Sequence, residues 1–263
     1  MKYSRKINFL LRATKVGFAC FCCFLFQMCT MQVKPQLIAH RGYWQTNPPT
    51  VQNSIQALDN AQNLKIYGTE FDVQMSKDGV LIINHDEHHF DMGISETNFE
   101  ELINQKLKNG ENIPTLKEYL EKGKKKPSLK LFVELKPANS TEKENELVYK
   151  TIQTVKDLNL ESQTEFISFS LNICERIKEL EPTFKVHYLN GDLSPSEIKA
   201  KKLDGIDYHY SVFLNNPTWI SEAKTFGLKT NSWTVNDVET FEKLTKQGID
   251  FVTTDIPDQL KSK

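Results

Sequence analysis

Gly68-Thr69-Glu70-Phe71-Asp72-Val73-Gln74-Met75 is the stretch whose reading decides the fold. Drawn out as a strand, it puts Glu70, Asp72 and Gln74 on one face and Phe71, Val73 and Met75 on the other, because side chains alternate along extended backbone. A Ser-Lys-Asp-Gly turn at 76–79 and an apolar run Val80-Leu-Ile-Ile83 follow, ending at Asn84-His85-Asp86. The Asp-Gly pair sends the chain back antiparallel. If Met75 pairs with Val80, His85 lies opposite Glu70; with the loop one pair tighter, it lies opposite Asp72. In either register directly opposed residues share a face, so an imidazole is expected beside two carboxylates. That is the arrangement of a metal site with an acid or base next to it.

The same inverted parity recurs in Leu131-Phe-Val-Glu-Leu-Lys136. Leu131, Val133 and Leu135 form an apolar face for covering helices, which leaves Phe132, Glu134 and Lys136 pointing inward. An inward carboxylate is costly without a partner. Three of them repel by up to ~4 kcal/mol per close pair at an effective dielectric of about 20. A hard divalent cation relieves that repulsion, and the all-oxygen set Glu70, Asp72 and Glu134 suits Ca²⁺ or Mg²⁺ better than Zn²⁺.

Working outward, β-rich runs fall at 37–40, 69–75, 129–136, 165–168, 185–189, 205–210, 229–234 and 251–254, with 80–84 as an extra. Helical segments fall between nearly all of them, at 54–63, 115–122, 141–158, 171–180, 195–201, 217–226 and 236–246, and a short one ends the chain at 257–261. Eight strands with intervening helices predict an α/β fold of the (β/α)8 TIM-barrel type. An open doubly wound sheet is the competitor, and the lack of a Gly-x-Gly-x-x-Gly turn after the first strand disfavours its dinucleotide-binding version. The stretch 87–110 has no clear element and is expected to form a lip over the barrel mouth, after the second strand. His40 and Arg41 end the first strand, Glu134 and Lys136 the third, and Trp233 the seventh. All lie where barrel enzymes place their chemistry.

The chain has 263 residues, enough for one large domain or two small ones, and one is expected here over 36–263 after a short linker at 30–35. Lys2, Arg5, Lys6, Arg12 and Lys15 precede an apolar run from Val16 to Met28, too short for the ~20 residues that span a bilayer. Residues 1–29 therefore read as an export signal, placing the protein in the periplasm or at the cell surface. Cys29 is a candidate lipidated residue, which would anchor the chain to a membrane. Cys174 is the one cysteine beyond this segment, so no intrachain disulfide is expected. Removing residues 1–29 leaves 28 Lys+Arg against 34 Asp+Glu, a net charge of −6. Such an acidic chain without basic clusters is not expected to bind nucleic acid. No obligate protein partner is evident.

Ala39-His-Arg-Gly42, Glu70-Phe-Asp-Val-Gln-Met-Ser-Lys-Asp-Gly79 with His85-Asp86, Ile113-Pro-Thr-Leu116, Val133-Glu-Leu-Lys136, Trp233-Thr-Val-Asn236 and Gly248-Ile-Asp-Phe-Val-Thr-Thr-Asp255 with Pro257 resemble the glycerophosphodiester phosphodiesterase family in order. The blocks cover essentially all of 36–260. The resemblance implies a phospholipase-C-like phosphodiesterase barrel that hydrolyses glycerophosphodiesters to glycerol 3-phosphate and an alcohol. It implies one divalent cation on Glu70, Asp72 and Glu134, His40 and His85 as the acid–base pair, and Arg41 and Lys136 gripping the phosphate. Trp233 is either core packing or a wall against the substrate glycerol. The family's usual Glu-Asn-Thr is Gln52-Asn53-Ser54 here: Asn53 is kept as a supporting residue, while its neighbour has lost its charge.

Other readings of single residues are milder. His88 and His89 are expected in a solvated loop, and His187 and His209 inside mid-barrel strands as structural residues. Tyr188, Tyr208, Tyr210 and Phe213 are candidates to shape a leaving-group pocket. Two rival functions stand beside the first: a phosphatidylinositol phospholipase C or sphingomyelinase D type of enzyme acting on intact phospholipid, and a non-catalytic protein that binds glycerophospho-compounds. The polar character of 87–110 argues against the first rival, and the paired histidines argue against the second.

Overall fold

The computed structural model describes residues 33–263. The expected export signal, Cys29 and the start of the linker lie outside the described residues. In chain order the elements are β1 (Gln36–Ala39), α1 (Ile55–Asn63), β2 (Gly68–Met75), β3 (Leu81–Ile83), β4 (His88–His89), β5 (Met92–Gly93), α2 (Phe99–Leu102), α3 (Leu116–Gly123) and β6 (Lys130–Leu135). There follow α4 (Thr141–Asp157), β7 (Thr164–Ser168), α5 (Leu171–Leu180), β8 (Lys185–Tyr188), α6 (Pro195–Ala200), β9 (Gly205–His209) and α7 (Tyr210–Asn215). The chain closes with α8 (Trp219–Thr225), β10 (Lys229–Trp233), α9 (Val238–Gln247), β11 (Phe251–Thr254) and α10 (Pro257–Lys261).

Eight parallel strands run β1-β2-β6-β7-β8-β9-β10-β11 and return to β1, where Ile38 pairs with both Gly68 and Thr253. The fold is the (β/α)8 barrel. Parity sorts its side chains into two shells. Leu131, Val133 and Leu135 join the outer core with Val148 and Ile152 of α4, whereas Phe132 joins Ile38, Ile167, Leu189 and Phe251 inside the barrel. The helices begin where local chemistry directs. Ser54, Ser140, Ser170 and Asp237 each accept a hydrogen bond from a backbone N–H of the first turn, and Thr115 with Glu118 and Ser194 with Glu197 form reciprocal capping boxes. Among the described residues no helix is long and apolar enough to cross a membrane.

Two expectations about β2 and the segment after it need correction. Its antiparallel partner β3 sets Met75 against Leu81 and Val73 against Ile83, a register midway between the two considered. The loop has an odd length: Ser76 and Val80 pair, and Lys77, Asp78 and Gly79 form the turn with Gly79 at φ +82. A three-residue hairpin of this kind needs a left-handed residue at its end, which glycine supplies without a Cβ penalty. Strict continuation would have set His85 opposite Phe71 on the outer face. The chain instead leaves the ladder at Asn84, where its N–H donates to the Asp72 carbonyl, and the departing backbone carries His85 to the mouth. The second correction concerns 87–110, which is not featureless. It holds the β4–β5 hairpin, a 3₁₀ turn at Ile94–Glu96 and α2, pinned by a small core of Ile82, Ile94, Leu102 and Ile113.

Candidate active site

The floor of the mouth is a carboxylate cluster. Glu70 and Asp72 on β2 and Glu134 on β6 are 3%, 1% and 8% exposed, and one oxygen from each lies within 4.8 Å of the others. The register makes this so, since Asp72 pairs directly with Glu134 across β2 and β6. Burial, then the charges of Asp72 and Glu134, pushes the Glu70 carboxyl well above its ordinary value. Burial and Asp72 raise Glu134 to about 7. Burial also opposes the Asp72 charge, but Lys136 and Arg41 outweigh it and hold Asp72 below its ordinary value. Among the described residues the cluster is the one group of three or more carboxylate, histidine or cysteine ligands close enough to share an ion. Glu70 Oε1 is buried without a hydrogen-bond partner. An all-oxygen set of three carboxyls with an orphaned ligand atom fits a hard divalent cation.

Cationic groups border the cluster. Lys136, just past β6, places Nζ 2.8 Å from Asp72 Oδ1 and 2.7 Å from Glu134 Oε1. Burial disfavours its charge, yet the two carboxylates raise its pKa on balance. Arg41 follows β1 at φ 54 and Gly42 at φ 80, a left-handed pair that turns the chain sharply outward. A Cβ on Gly42 would meet the Ala57 side chain at 2.6 Å and its backbone at 2.8 Å, so helix α1 packs on this turn only because position 42 is glycine. The Arg41 backbone N–H donates to Glu70 Oε2 at 2.8 Å, its Nε lies 3.6 Å from Asp72 Oδ2, and its Nη1 donates to Gln52 Oε1 at 2.9 Å. Asn53, also left-handed at φ 60, clasps Asp72 twice: Nδ2 donates to Oδ2 at 2.8 Å, and Oδ1 accepts the Asp72 N–H at 3.3 Å. Gln52 thus holds Arg41 through a neutral contact.

The two histidines share one orientation. His40 Nδ1 lies 2.8 Å from Asp255 Oδ1, and His85 Nδ1 lies 2.7 Å from Asp86 Oδ1. An N–H donated to a carboxylate fixes the tautomer and leaves Nε2 of each ring for chemistry. Burial lowers the His85 pKa on balance, against the opposing pull of Asp72 and Asp86. Asp255 is itself held by Trp44 Nε1 at 3.2 Å and Asn236 Nδ2 at 2.6 Å. Burial would raise its carboxyl, but His40 and these donors keep it below the ordinary range.

His40, Arg41, Glu70, His85, Glu134, Lys136 and Trp233 all line one cavity of about 90 Å³. Asn53 and Asp72 support it from behind. Ile167, Phe169 and Leu189 complete an apolar side, where Trp233 meets Phe169 edge-on at 5.5 Å and His209 at 5.3 Å. Trp233 is therefore a wall of the cavity. A larger cavity of about 260 Å³ adjoins at Lys136, between the 87–96 lip and α4, and includes Glu87, His88 and Glu96.

Some candidates fall elsewhere. Tyr188, Tyr208 and Phe213 are buried in the outer core, not in a leaving-group pocket, because their inward neighbours are His187, Leu189, Asp207 and His209. Tyr210 begins α7 and packs against the same outer core. His187 is structural, its Nε2 3.0 Å from Glu165 Oε2, but His209 ends β9 at the mouth and caps α7. His89 is buried rather than solvated and donates through Nε2 to the Gln105 carbonyl at 2.9 Å. Two residues at the site were not singled out from sequence, Asp255 and Asp207. Asp255 was visible only as the acidic end of the last strand motif, and Asp207 only as an inward position on β9.

Comparison with known proteins bears on the family and the fold. Residues 40–259 match the model of the glycerophosphoryl diester phosphodiesterase family. A glycerophosphodiester phosphodiesterase of Caldanaerobacter subterraneus subsp. tengcongensis is 29% identical over 247 residues, covering 87% of this chain and 97% of that protein. The crystal structure of a glycerophosphodiester phosphodiesterase from Parabacteroides distasonis superposes with a TM-score of 0.85 at 38% identity, over 87% of this chain and 96% of its own. A phosphodiesterase of Oleispira antarctica, solved in complex with the product sn-glycerol-3-phosphate, gives 0.76 at 27% identity, over 87% and 96%.

Proposed function

The chain belongs to the glycerophosphoryl diester phosphodiesterase family, and on that premise we propose that it hydrolyses glycerophosphodiesters to glycerol 3-phosphate and a free alcohol with the aid of one divalent cation. The observation that carries this reading is the convergence at one cavity of a three-carboxylate cluster, whose Glu70 and Glu134 line the wall with Asp72 behind them, with Arg41, Lys136 and two histidines with free Nε2 atoms.

A phosphodiester asks three things of a catalyst: neutralisation of the charge on its non-bridging oxygens, a proton acceptor for the nucleophile, and a proton donor for the departing alkoxide. Glu70, Asp72 and Glu134 hold the cation, Ca²⁺ or Mg²⁺, which when bound supplies positive charge to the phosphoryl group. Arg41 and Lys136 supply the rest of that charge from fixed positions. One of His40 and His85 takes the proton of the nucleophile as its oxygen bonds to phosphorus. The other gives a proton to the alcohol oxygen as the second phosphorus–oxygen bond breaks. The small apolar compartment beside Trp233 receives the glycerol, and the larger cavity beyond Lys136 leaves room for alcohols of different size.

The decisive experiment follows glycerophosphocholine and glycerophosphoethanolamine by ³¹P NMR, with chelator and then with added Ca²⁺ or Mg²⁺. Glycerol 3-phosphate is expected to appear only with metal. Full turnover in a metal-free sample would remove the cation from the mechanism, and binding without product would make the protein a receptor.

A further inference from the structure

Asp207 lies on the inner face of β9 and lines the same cavity, on its apolar side. It is 2% exposed. Its Oδ2 accepts from Asn231 Nδ2 at 2.9 Å, while its Oδ1 has no hydrogen-bond partner among the described residues. The Asn231 amide cannot be turned round. Its Oδ1 accepts the Ser232 N–H at 2.8 Å, and its Nδ2 donates to Thr253 Oγ1 as well as to Asp207. One carboxylate oxygen is thus committed to the barrel wall and the other is left free. Trp233 Nε1 donates to the Asp207 backbone carbonyl at 2.9 Å, which seats the indole wall beside this acceptor. Among the described residues no lysine or arginine pairs with it, and burial, only partly offset by His187 and Asn231, pushes its carboxyl up to about 7.

An unpaired acceptor in a buried site is expensive unless a ligand satisfies it, and a few placed polar groups in an apolar pocket are what orient a small ligand. We propose that Asp207 accepts a hydrogen bond from a free hydroxyl on the glycerol arm of the substrate, and so distinguishes deacylated glycerophosphodiesters from acylated ones. The inference rests on the function proposed above and assigns it a specificity residue. Acylation of that hydroxyl removes the donor, adds bulk to a cavity of only about 90 Å³ and leaves Asp207 unpaired. Sites built to hydrogen-bond a substrate hydroxyl reject analogues that lack it.

The test is a cycle between the substrate hydroxyl and the carboxylate. Steady-state kcat/KM is measured for glycerophosphoethanolamine and for its two deoxy analogues, in which the glycerol is replaced by propane-1,2-diol or propane-1,3-diol. The wild-type protein is expected to prefer the full glycerol substrate over one of the analogues by roughly 10- to 100-fold, the scale of leaving one buried acceptor unpaired. In Asp207→Asn the new amide must turn its oxygen to Asn231 and its NH₂ to the cavity, so the acceptor becomes a donor and the preference should collapse toward one. An unchanged ratio in the variant, or equal rates on all three substrates in the wild type, would overturn the assignment. Because the wild-type comparison needs no substitution, a variant that failed to fold would still leave the proposal exposed to refutation. A protein that hydrolysed none of the three would refute the enzymatic reading instead.

Discussion

At the scale of single residues, the site depends on how His40 and His85 are held. Each is tethered through Nδ1 to a carboxylate, so each offers Nε2 in a set tautomer. His40→Ala and His85→Ala should each lower kcat by at least ~10²-fold, the usual scale for acid–base catalysis. Asp255→Asn should lose less, since it leaves the ring in place but weakens its orientation. Melting temperatures near the wild-type value would separate these losses from misfolding, and near-normal turnover in both histidine variants would exclude them from proton transfer. The carboxylates and Lys136 were legible in sequence because inverted parity on two strands is improbable unless the inner face has work to do. Asp255 was not legible as the partner of His40, because 215 residues separate them and only barrel closure at β1 and β11 brings them together. Tyr188 and Tyr208 misled for a related reason: on a strand, a one-residue error of parity exchanges the cavity for the outer shell.

At the scale of elements, the eight strands and most helices were readable from the alternation of β-rich and helical runs, whereas loop length was not. Ser-Lys-Asp-Gly admits loops of two, three or four residues, and only the odd choice gives the register seen. Where charges tie elements together, pH becomes a probe. Asp204, between α6 and β9, accepts Lys178 Nζ of α5 at 2.8 Å, Lys185 Nζ of β8 at 2.9 Å and the Val186 N–H at 3.2 Å. Burial raises its carboxyl, but the two lysines outweigh that and hold it below the ordinary 3.8. A folded pKa below the unfolded one gives stability that is fully present above the unfolded value and lost as pH falls through the folded one. Asp204→Asn should therefore cost about 1 kcal/mol at pH 7, allowing for solvent screening of a half-buried group. The gap from wild type in thermal melts should close below the ordinary Asp range. A gap that persisted at low pH would mean that the substitution acts through packing alone.

For the whole molecule, the carboxylate cluster sets a conflict between fold and function. Three buried acids on two adjacent strands weaken the barrel where they meet, and a cation that binds the folded chain alone restores that loss by mass action. At about 100 times its dissociation constant, a ligand adds about 2.7 kcal/mol. In a domain of this size that corresponds to a rise in melting temperature of roughly 5–10 °C. Added Ca²⁺ or Mg²⁺ should produce such a rise, chelator should reverse it, and Glu134→Ala should abolish it. A melting temperature indifferent to both cations would count against the cluster as their site.

The two ends of the described chain meet at the bottom of the barrel. Lys34 Nζ contacts the carbonyl of Lys263, α10 packs beside β1, and Lys261 Nζ reaches the Leu64 carbonyl at the foot of α1. The mouth opens at the far end of the strands. A graft at either end, whether a fusion partner, a resin linker or a surface attachment, would therefore sit a full strand length from the incoming substrate.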